Sequence, residues 1–369
     1  MLEAFWDDAH TAGVELPRED PVTAQAFCAA RHKLDPHVVR GLLHVAADAF
    51  THLHGQDFLW HGRRLLAVDS ANRNMQASDE LWSHFGGHTS AHFPQCRVSV
   101  LYDVLAELPL DVVAGGYGAS ERKQLADMIE ATRTGDVIVM DRGYPSFDLF
   151  MMLVESGADF VARMPTGSTF GVVEEFIESG EAEAFVDLDA PKHSPLRGID
   201  PIPVRLVRVE RLDGTPWVLA TSLVTDDFCA DDIADAYRRR WRIEEFYKTL
   251  VSNYFGQDMF HAKWAGGVRQ EIYAQMLFVA ITRTLMASAA REEDVPYRDL
   301  STKGAILAVG DHITRLVLHS PRRDAAEHMR RLLRRIARAI ERPRNGRSYP
   351  RRSLRPEPRW GPRGRNWRR

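Results

Sequence analysis

The sequence predicts a mixed α/β fold, a sheet flanked by helices, and three observations carry that expectation. Apolar runs ending in aspartate recur at RRLLAVD (63–69) and DVIVMD (136–141). Stretches with helix caps and helical spacing follow each of them, at SERKQLADMIEATRTG (120–135) and SFDLFMMLVESG (146–157). The unbroken run Val137-Ile138-Val139-Met140 suits a parallel strand buried on both faces.

Residues 1–55 read as helices: Ala24, Phe27, Cys28 and Ala29 share a face, and Val38, Val39, Leu42, Leu43, Val45 and Ala46 keep helical spacing. Pro21 and Pro36 stand at expected helix starts. Strands follow at 63–69, 97–105 and 110–118, with Glu107 and Pro109 near the turn between the last two. In the helix expected over 120–135, Ser120 caps the start, Glu121 suits the positive end of the dipole and Gly135 is the stop. A strand at 136–141, a helix at 146–157 after Pro145 and a strand at 159–165 complete the unit. Three strands, helix, strand, helix, strand is the order of a ribonuclease H-like core.

Residues 167–226 read as a β-rich insertion, with strand-like runs at 202–212 and 216–223. Helices are expected over 231–251, 268–290, 303–319 and 323–341. The predicted organisation is a helical N-terminal domain (1–55), a ribonuclease H-like domain (56–166 and 227–290) interrupted by the insertion (167–226), a helical C-terminal region (291–341) and a basic tail (342–369).

With 369 residues, 44% apolar and 27% charged, the chain has the composition of ordinary globular domains. No uninterrupted apolar run approaches the ~20 residues of a membrane span, and MLEAFWDDAH lacks the form of a signal peptide. Cys28, Cys96 and Cys229 lie far apart, which fits a reducing cytoplasm and excludes a C-x-x-C metal framework. Any metal is left to oxygen or imidazole ligands. The net charge of -3 conceals an asymmetry: residues 322–369 hold 18 Arg, no Lys and four acids, so they carry +14 and the rest carries -17. A basic tail on an acidic body points to a polyanion, the alternative being a solvated end. Arginine forks match phosphate oxygens in pairs, although GC-rich coding also enriches arginine.

Ligands of open α/β sheets bind beyond the carboxyl ends of the strands, and Asp69 and Asp141 are both expected there. A third acid lies in YRRRWRIEEFYKTL (237–250). At ~100° per residue, Tyr237, Arg240, Glu244 and Lys248 fall within roughly 80° of one another. Ile243, Phe246 and Leu250 point away, towards the sheet. Taken singly, each aspartate reads as a surface or capping residue, and the helix as an ordinary amphipathic one. Together, the three acids suit phosphodiester chemistry, in which two Mg²⁺ ions roughly 3.5–4 Å apart neutralise the phosphoryl oxygens and activate the attacking oxygen. Magnesium prefers carboxylate oxygens and keeps several waters, so two or three acids suffice. The expected roles are Asp69 bridging, Asp141 on one ion and Glu244 on the other, with Arg142 after Asp141 meeting phosphate and Gly143 permitting a tight turn.

Asp141-Arg142-Gly143-Tyr144, followed by Tyr237-x2-Arg240-x3-Glu244, resembles the DDE transposases of bacterial insertion sequences whose third motif is called YREK. The resemblance extends over roughly residues 1–320. It implies Mg²⁺ (with Mn²⁺ able to substitute), cut-and-paste movement of an element with terminal inverted repeats into target DNA, and a homodimer acting on paired ends of double-stranded DNA in the bacterial cytoplasm, at the nucleoid. It also implies DNA contacts at Arg142, Tyr144, Tyr237, Arg240 and Lys248. In some members a hairpin forms at the element end and a tryptophan of the insertion stacks near a flipped base; Trp217 is either that residue or a core tryptophan of a strand. One position departs: the motif's lysine, seven residues after the glutamate, is Val251 here. Lys248 is the expected substitute; the alternative is a catalytically impaired, DNA-binding remnant or inhibitor of transposition.

Overall fold

The computed structural model describes residues 2–341 apart from 12, 17, 166, 168–169, 193, 211–215, 251–258 and 319–324. The basic tail and Val251 therefore lie outside the described residues. Among those described, nine strands build one sheet: β1 (Leu65–Met75), β2 (Gln95–Asp103), β3 (Leu108–Gly116), β4 (Val137–Met140), β5 (Asp159–Arg163), β6 (Glu183–Leu188), β7 (Ile202–Val209), β8 (Trp217–Thr221) and β9 (Met259–Phe260). Their order is β3-β2-β1-β4-β5-β8-β7-β6, with β9 beside β1. β1–β2 and β2–β3 are antiparallel, whereas β1–β4 and β4–β5 are parallel. That is the ribonuclease H-like arrangement expected from the element order.

The helices are α1 (Leu2–Thr11), α2 (Ala24–Arg31), α3 (Pro36–His54), α4 (Asp79–Phe85), α5 (Glu121–Ala126), α6 (Phe147–Glu155), α7 (Gly171–Ser179), α8 (Ala230–Arg239), α9 (Trp241–Thr249), α10 (Ala265–Glu292), α11 (Thr302–Leu318) and α12 (Ala325–Arg338). All four residues of β4 are fully buried, as a parallel strand covered on both faces requires. Phe150 of α6 stacks on Phe160 of β5 with ring centroids 4.1 Å apart. α10 is long and apolar enough to cross a membrane by composition, but 56% of its apolar window is buried inside the fold, where it packs on α3 and β3. A smaller core joins α10, α11 and α12 through Met286, Val309, Leu332 and Ile336.

Two carboxylates lock the frame. Asp111 of β3 accepts hydrogen bonds from Arg40 of α3 at 2.8 and 2.6 Å, and His44 stands 2.8 Å away. Burial alone would raise the Asp111 pKa, but these partners outweigh it and hold the group below the usual carboxylate range. The N-terminal helices are thereby tied to the sheet. The second lock spans β1 and β4: Arg64 meets Asp136 at 2.8 and 2.5 Å, with both residues buried.

Most elements shift by one to three residues from their sequence-based boundaries, and some differ more. β1 runs six residues past Asp69, because its antiparallel pairing with β2 continues to Asn74 after its parallel pairing with β4 stops at Ala67. The helix expected over 120–135 ends at Ala126 and is followed by a short 3-10 turn, Ile129–Ala131. The single helix expected over 231–251 divides at Arg240, where the Arg240 and Ile243 N–H groups each bond a carbonyl three residues back. Residues 167–226 hold α7 as well as β6–β8, and β8 pairs antiparallel with β5, so these strands continue the main sheet. Pro36 occupies the first turn of α3 after the Asp35 cap, but Pro21 precedes the Thr23 cap of α2 and so lies outside that helix.

The Arg64–Asp136 lock makes a testable demand on stability. Asp136→Ala leaves a buried guanidinium without its counter-ion and should lower the unfolding free energy by about 3–5 kcal/mol in urea titration. The double variant Arg64→Leu/Asp136→Leu, which removes both charges, should recover part of that loss.

Candidate active site

The parallel strands place the two aspartates. Leu65 pairs with Val137 and Ala67 with Val139, so continuing the same register sets Asp69 opposite Asp141. On the other side of β4, Met140 pairs with Ala162, which sets Asp141 opposite Arg163. Neighbouring strands are ~4.8 Å apart. Asp69, Asp141 and Arg163 thus form a row across three strands, just past β4 and at the end of β5 but midway along β1.

Asp141 is the most exposed of the row and is held from two sides. The Tyr237 hydroxyl of α8 donates to Asp141 Oδ1 at 3.0 Å, and Arg163 Nη1 stands 3.7 Å from the same oxygen. Burial, and then the Asp141 carboxylate, push the Tyr237 phenol up to about 12, so it remains a neutral donor. The Arg163 guanidinium lies 4.4 Å over the Trp217 ring, and Trp217 meets Tyr237 edge to face at 5.6 Å. Trp217 is therefore half-buried at the rim of this site, on the first residue of β8.

Glu244 arrives on α9. Ile243, Phe246 and Leu250 are buried, and Phe246 stacks on Tyr102 of β2 at 4.6 Å, so the apolar face packs on the sheet as expected. On the other face Arg240 Nη2 donates to Glu244 Oε1 at 2.8 Å. Lys248 is exposed, with its Nζ 5.1 Å over the Trp241 ring; among the described residues no contact ties it to the three acids.

Asp69 is set deeper. Among the described residues its carboxylate receives a hydrogen bond only from the Ser70 N–H, at 2.9 Å, while the Tyr247 hydroxyl donates to its backbone carbonyl at 2.9 Å. Burial pushes its pKa up to about 6, with Glu244 and Glu121 adding negative potential and Arg240 opposing them. Glu121 is a fourth acid on the wall of the site. It accepts a short hydrogen bond from Ser70 Oγ and lies 3.9 Å from Arg97. The 141–144 turn leans on the start of α5: Arg122 Nε donates to the Gly143 carbonyl at 3.1 Å, and a Cβ on Gly143 would stand 3.3 Å from Glu121 Oε2. Gly143 thus serves close approach to a carboxylate, in place of the expected backbone freedom. Arg142 is exposed, whereas Tyr144 is 2% exposed and packs under the turn.

Among the described residues no three His, Cys, Asp or Glu side chains converge closely enough to hold a metal ion, and Tyr237 and Arg240 engage Asp141 and Glu244. The donor chemistry fits a hard divalent cation all the same. Asp69 is a half-buried carboxylate that no side chain among the described residues neutralises by direct contact, and a cation there would offset the burial penalty.

The family model described as "Transposase DDE domain" matches residues 60–282, well over half of the chain. The chain belongs to the transposase DDE domain family. Transposase InsG for insertion sequence element IS4 of Escherichia coli (strain K12) is 24% identical over 293 residues, covering 75% of this chain and 64% of that protein. The protein named "Putative transposase y4zB" of Sinorhizobium fredii (strain NBRC 101917 / NGR234) is 26% identical over 193 residues, covering 51% and 52%. The match thus spans about half to two thirds of these relatives' own lengths. A cryo-EM structure of the piggyBac transposase synaptic complex with hairpin DNA covers 77% of this chain and 59% of its own, at 11% identity and a TM-score of 0.45.

Three residues around this candidate site escaped the sequence reading: Arg163, Glu121 and Tyr247. Arg163 was open to detection, because it closes DFVAR at the same strand level as Asp141 in DVIVMD. Glu121 and Tyr247 reach the site only through tertiary packing.

The raised Asp69 pKa fixes the sign of a pH effect. A folded-state pKa of about 6 against the ordinary carboxylate value of 3.8 means the folded protein holds the proton longer, so stability falls as pH rises from about 4 to 6 and stays lowered above. Without divalent metal, Asp69→Asn should therefore stabilise the fold at pH 7.5, on the order of 1–3 kcal/mol. The gain should fade towards pH 4 in thermal melts.

Proposed function

We propose that the chain is a transposase that cuts the ends of its insertion sequence and joins them to target DNA, moving the element by cut and paste. The observation that carries this reading is the shared level of Asp69 and Asp141 on adjacent parallel strands, with Glu244 of α9 near enough to add negative potential at Asp69. In this reading Asp69, Asp141 and Glu244 would hold two Mg²⁺ ions. When bound, these ions would neutralise the phosphoryl oxygens and acidify the attacking hydroxyl or water.

The remaining work falls to the chain's own residues. Tyr237 and Arg240 orient Asp141 and Glu244 and exchange those bonds for substrate oxygens as the site closes. Exposed Arg142 and Lys248 meet the DNA backbone. Trp217, half-buried at the rim, is placed to stack on a base displaced from the helix, including at a hairpin end if one forms. The partners are double-stranded DNA bearing terminal inverted repeats, target DNA and a second copy of the chain on paired ends, in the bacterial cytoplasm. The limited span of the relatives matched makes each of these a property to test on this protein.

The test is Mg²⁺-dependent nicking of the inverted repeats that flank the gene. Asp141→Ala should reduce nicking by at least about 100-fold while leaving binding to the repeats. Equal cutting by the variant would end the proposal. One sequence feature favours a second reading, a DNA-binding remnant or inhibitor: Val251 stands where the motif has lysine. That reading expects binding without cleavage in the natural protein and cleavage restored by Val251→Lys.

A further inference from the structure

Arg163 stands apart from the other arginines near the sheet. Arg64, Arg97 and Arg205 all spend their guanidinium donors on carboxylates or carbonyls of the fold. Arg163 ends β5 with its side chain 24% exposed, and among the described residues no acceptor lies within hydrogen-bond distance of its guanidinium. Its contacts are the face of Trp217 at 4.4 Å and Asp141 Oδ1 at 3.7 Å, an oxygen already satisfied by Tyr237. A guanidinium carries five N–H donors in a rigid fork. Here that fork is fixed in direction by an aromatic plane, is level with both aspartates, and has its donors unspent.

An acidic site that must admit a polyanion needs a cation near its carboxylates. The exposed cation on α9, Lys248, lies instead on Trp241. We propose that Arg163 is a phosphate-binding residue of this site, taking a DNA backbone phosphate next to the bond being cut. On that contact its loose pairing with Asp141 gives way to a two-pronged bond with the phosphate, which leaves Asp141 to its other partners. Trp217 keeps the guanidinium oriented in both states. The proposal rests on the transposase reading of the same site.

The experiment measures binding of the full chain to a duplex carrying the inverted repeat beside its gene, in chelator, across 50 to 200 mM potassium chloride. Each neutralised phosphate contributes about -0.9 to the slope of log affinity against log salt. Arg163→Gln should make that slope shallower by about 0.9, so the fourfold salt increase costs the natural protein about three- to fourfold more affinity than the variant. Arg163→Lys should restore the slope. An unchanged slope in a folded Arg163→Gln protein overturns the proposal, because a residue that merely props Trp217 and Asp141 shifts melting temperature and leaves the salt dependence alone. A measurement on the natural protein guards against misfolding of the variant: phenylglyoxal should modify Arg163 in the free chain, read by mass spectrometry, and the duplex should protect it. Modification unaffected by saturating duplex also overturns the proposal. If the natural protein neither binds nor cuts the repeat, the transposase reading itself fails; binding and cutting with an unchanged Arg163→Gln slope sinks this inference alone.

Discussion

The structure depends on the register between β1 and β4. Side chains alternate faces along a strand, so a slip of one residue would turn Asp141 to the opposite side of the sheet from Asp69. The register is held at the far end of the same two strands by the buried Arg64–Asp136 pair, which has the same spacing in sequence as Asp69 and Asp141. The fully buried β4 resists slippage as well, because no apolar face could be exchanged for solvent. A salt bridge at one end of the strands thus positions a pair of acids at the other.

The acids themselves are held under electrostatic cost. Among the described residues no cation directly contacts half-buried Asp69, and Glu121 and Glu244 add to its burden. Asp141 and Glu244 are made tolerable by a phenol and a guanidinium from α8 and the start of α9. Such local conflict is what a binding site for cations and phosphates looks like before either arrives. The surrounding frame absorbs the cost through ordinary means: stacked aromatics, a covered parallel strand and the Asp111 clamp on α3.

Much of this was legible in the sequence, for identifiable reasons. β4 announced itself because burial on both faces permits an unbroken apolar run, and Asp141 followed directly from its end. Glu244 was legible because α9 has one apolar face to pack on Tyr102 and one polar face to spare. The extension of β1 was not, since Ser70, Asn72, Arg73 and Asn74 line a less buried stretch and carry no alternating apolar pattern. Nor was the break at Arg240, which occurs among residues that all favour helix and is imposed by packing. The burial of Tyr144 was not legible either, because its motif does not say that the turn folds it inward. Periodicity reports which face is apolar, but it does not report what a neighbouring element covers.

The central claim is that Asp69, Asp141 and Glu244 form one divalent-cation site. Anomalous diffraction from crystals of the full chain bound to its inverted-repeat duplex with Mn²⁺ tests it most directly. The account predicts two manganese peaks among these three carboxylates, with Asp69 touching both. Peaks elsewhere, or peaks unmoved when all three acids are replaced by their amides, would contradict it.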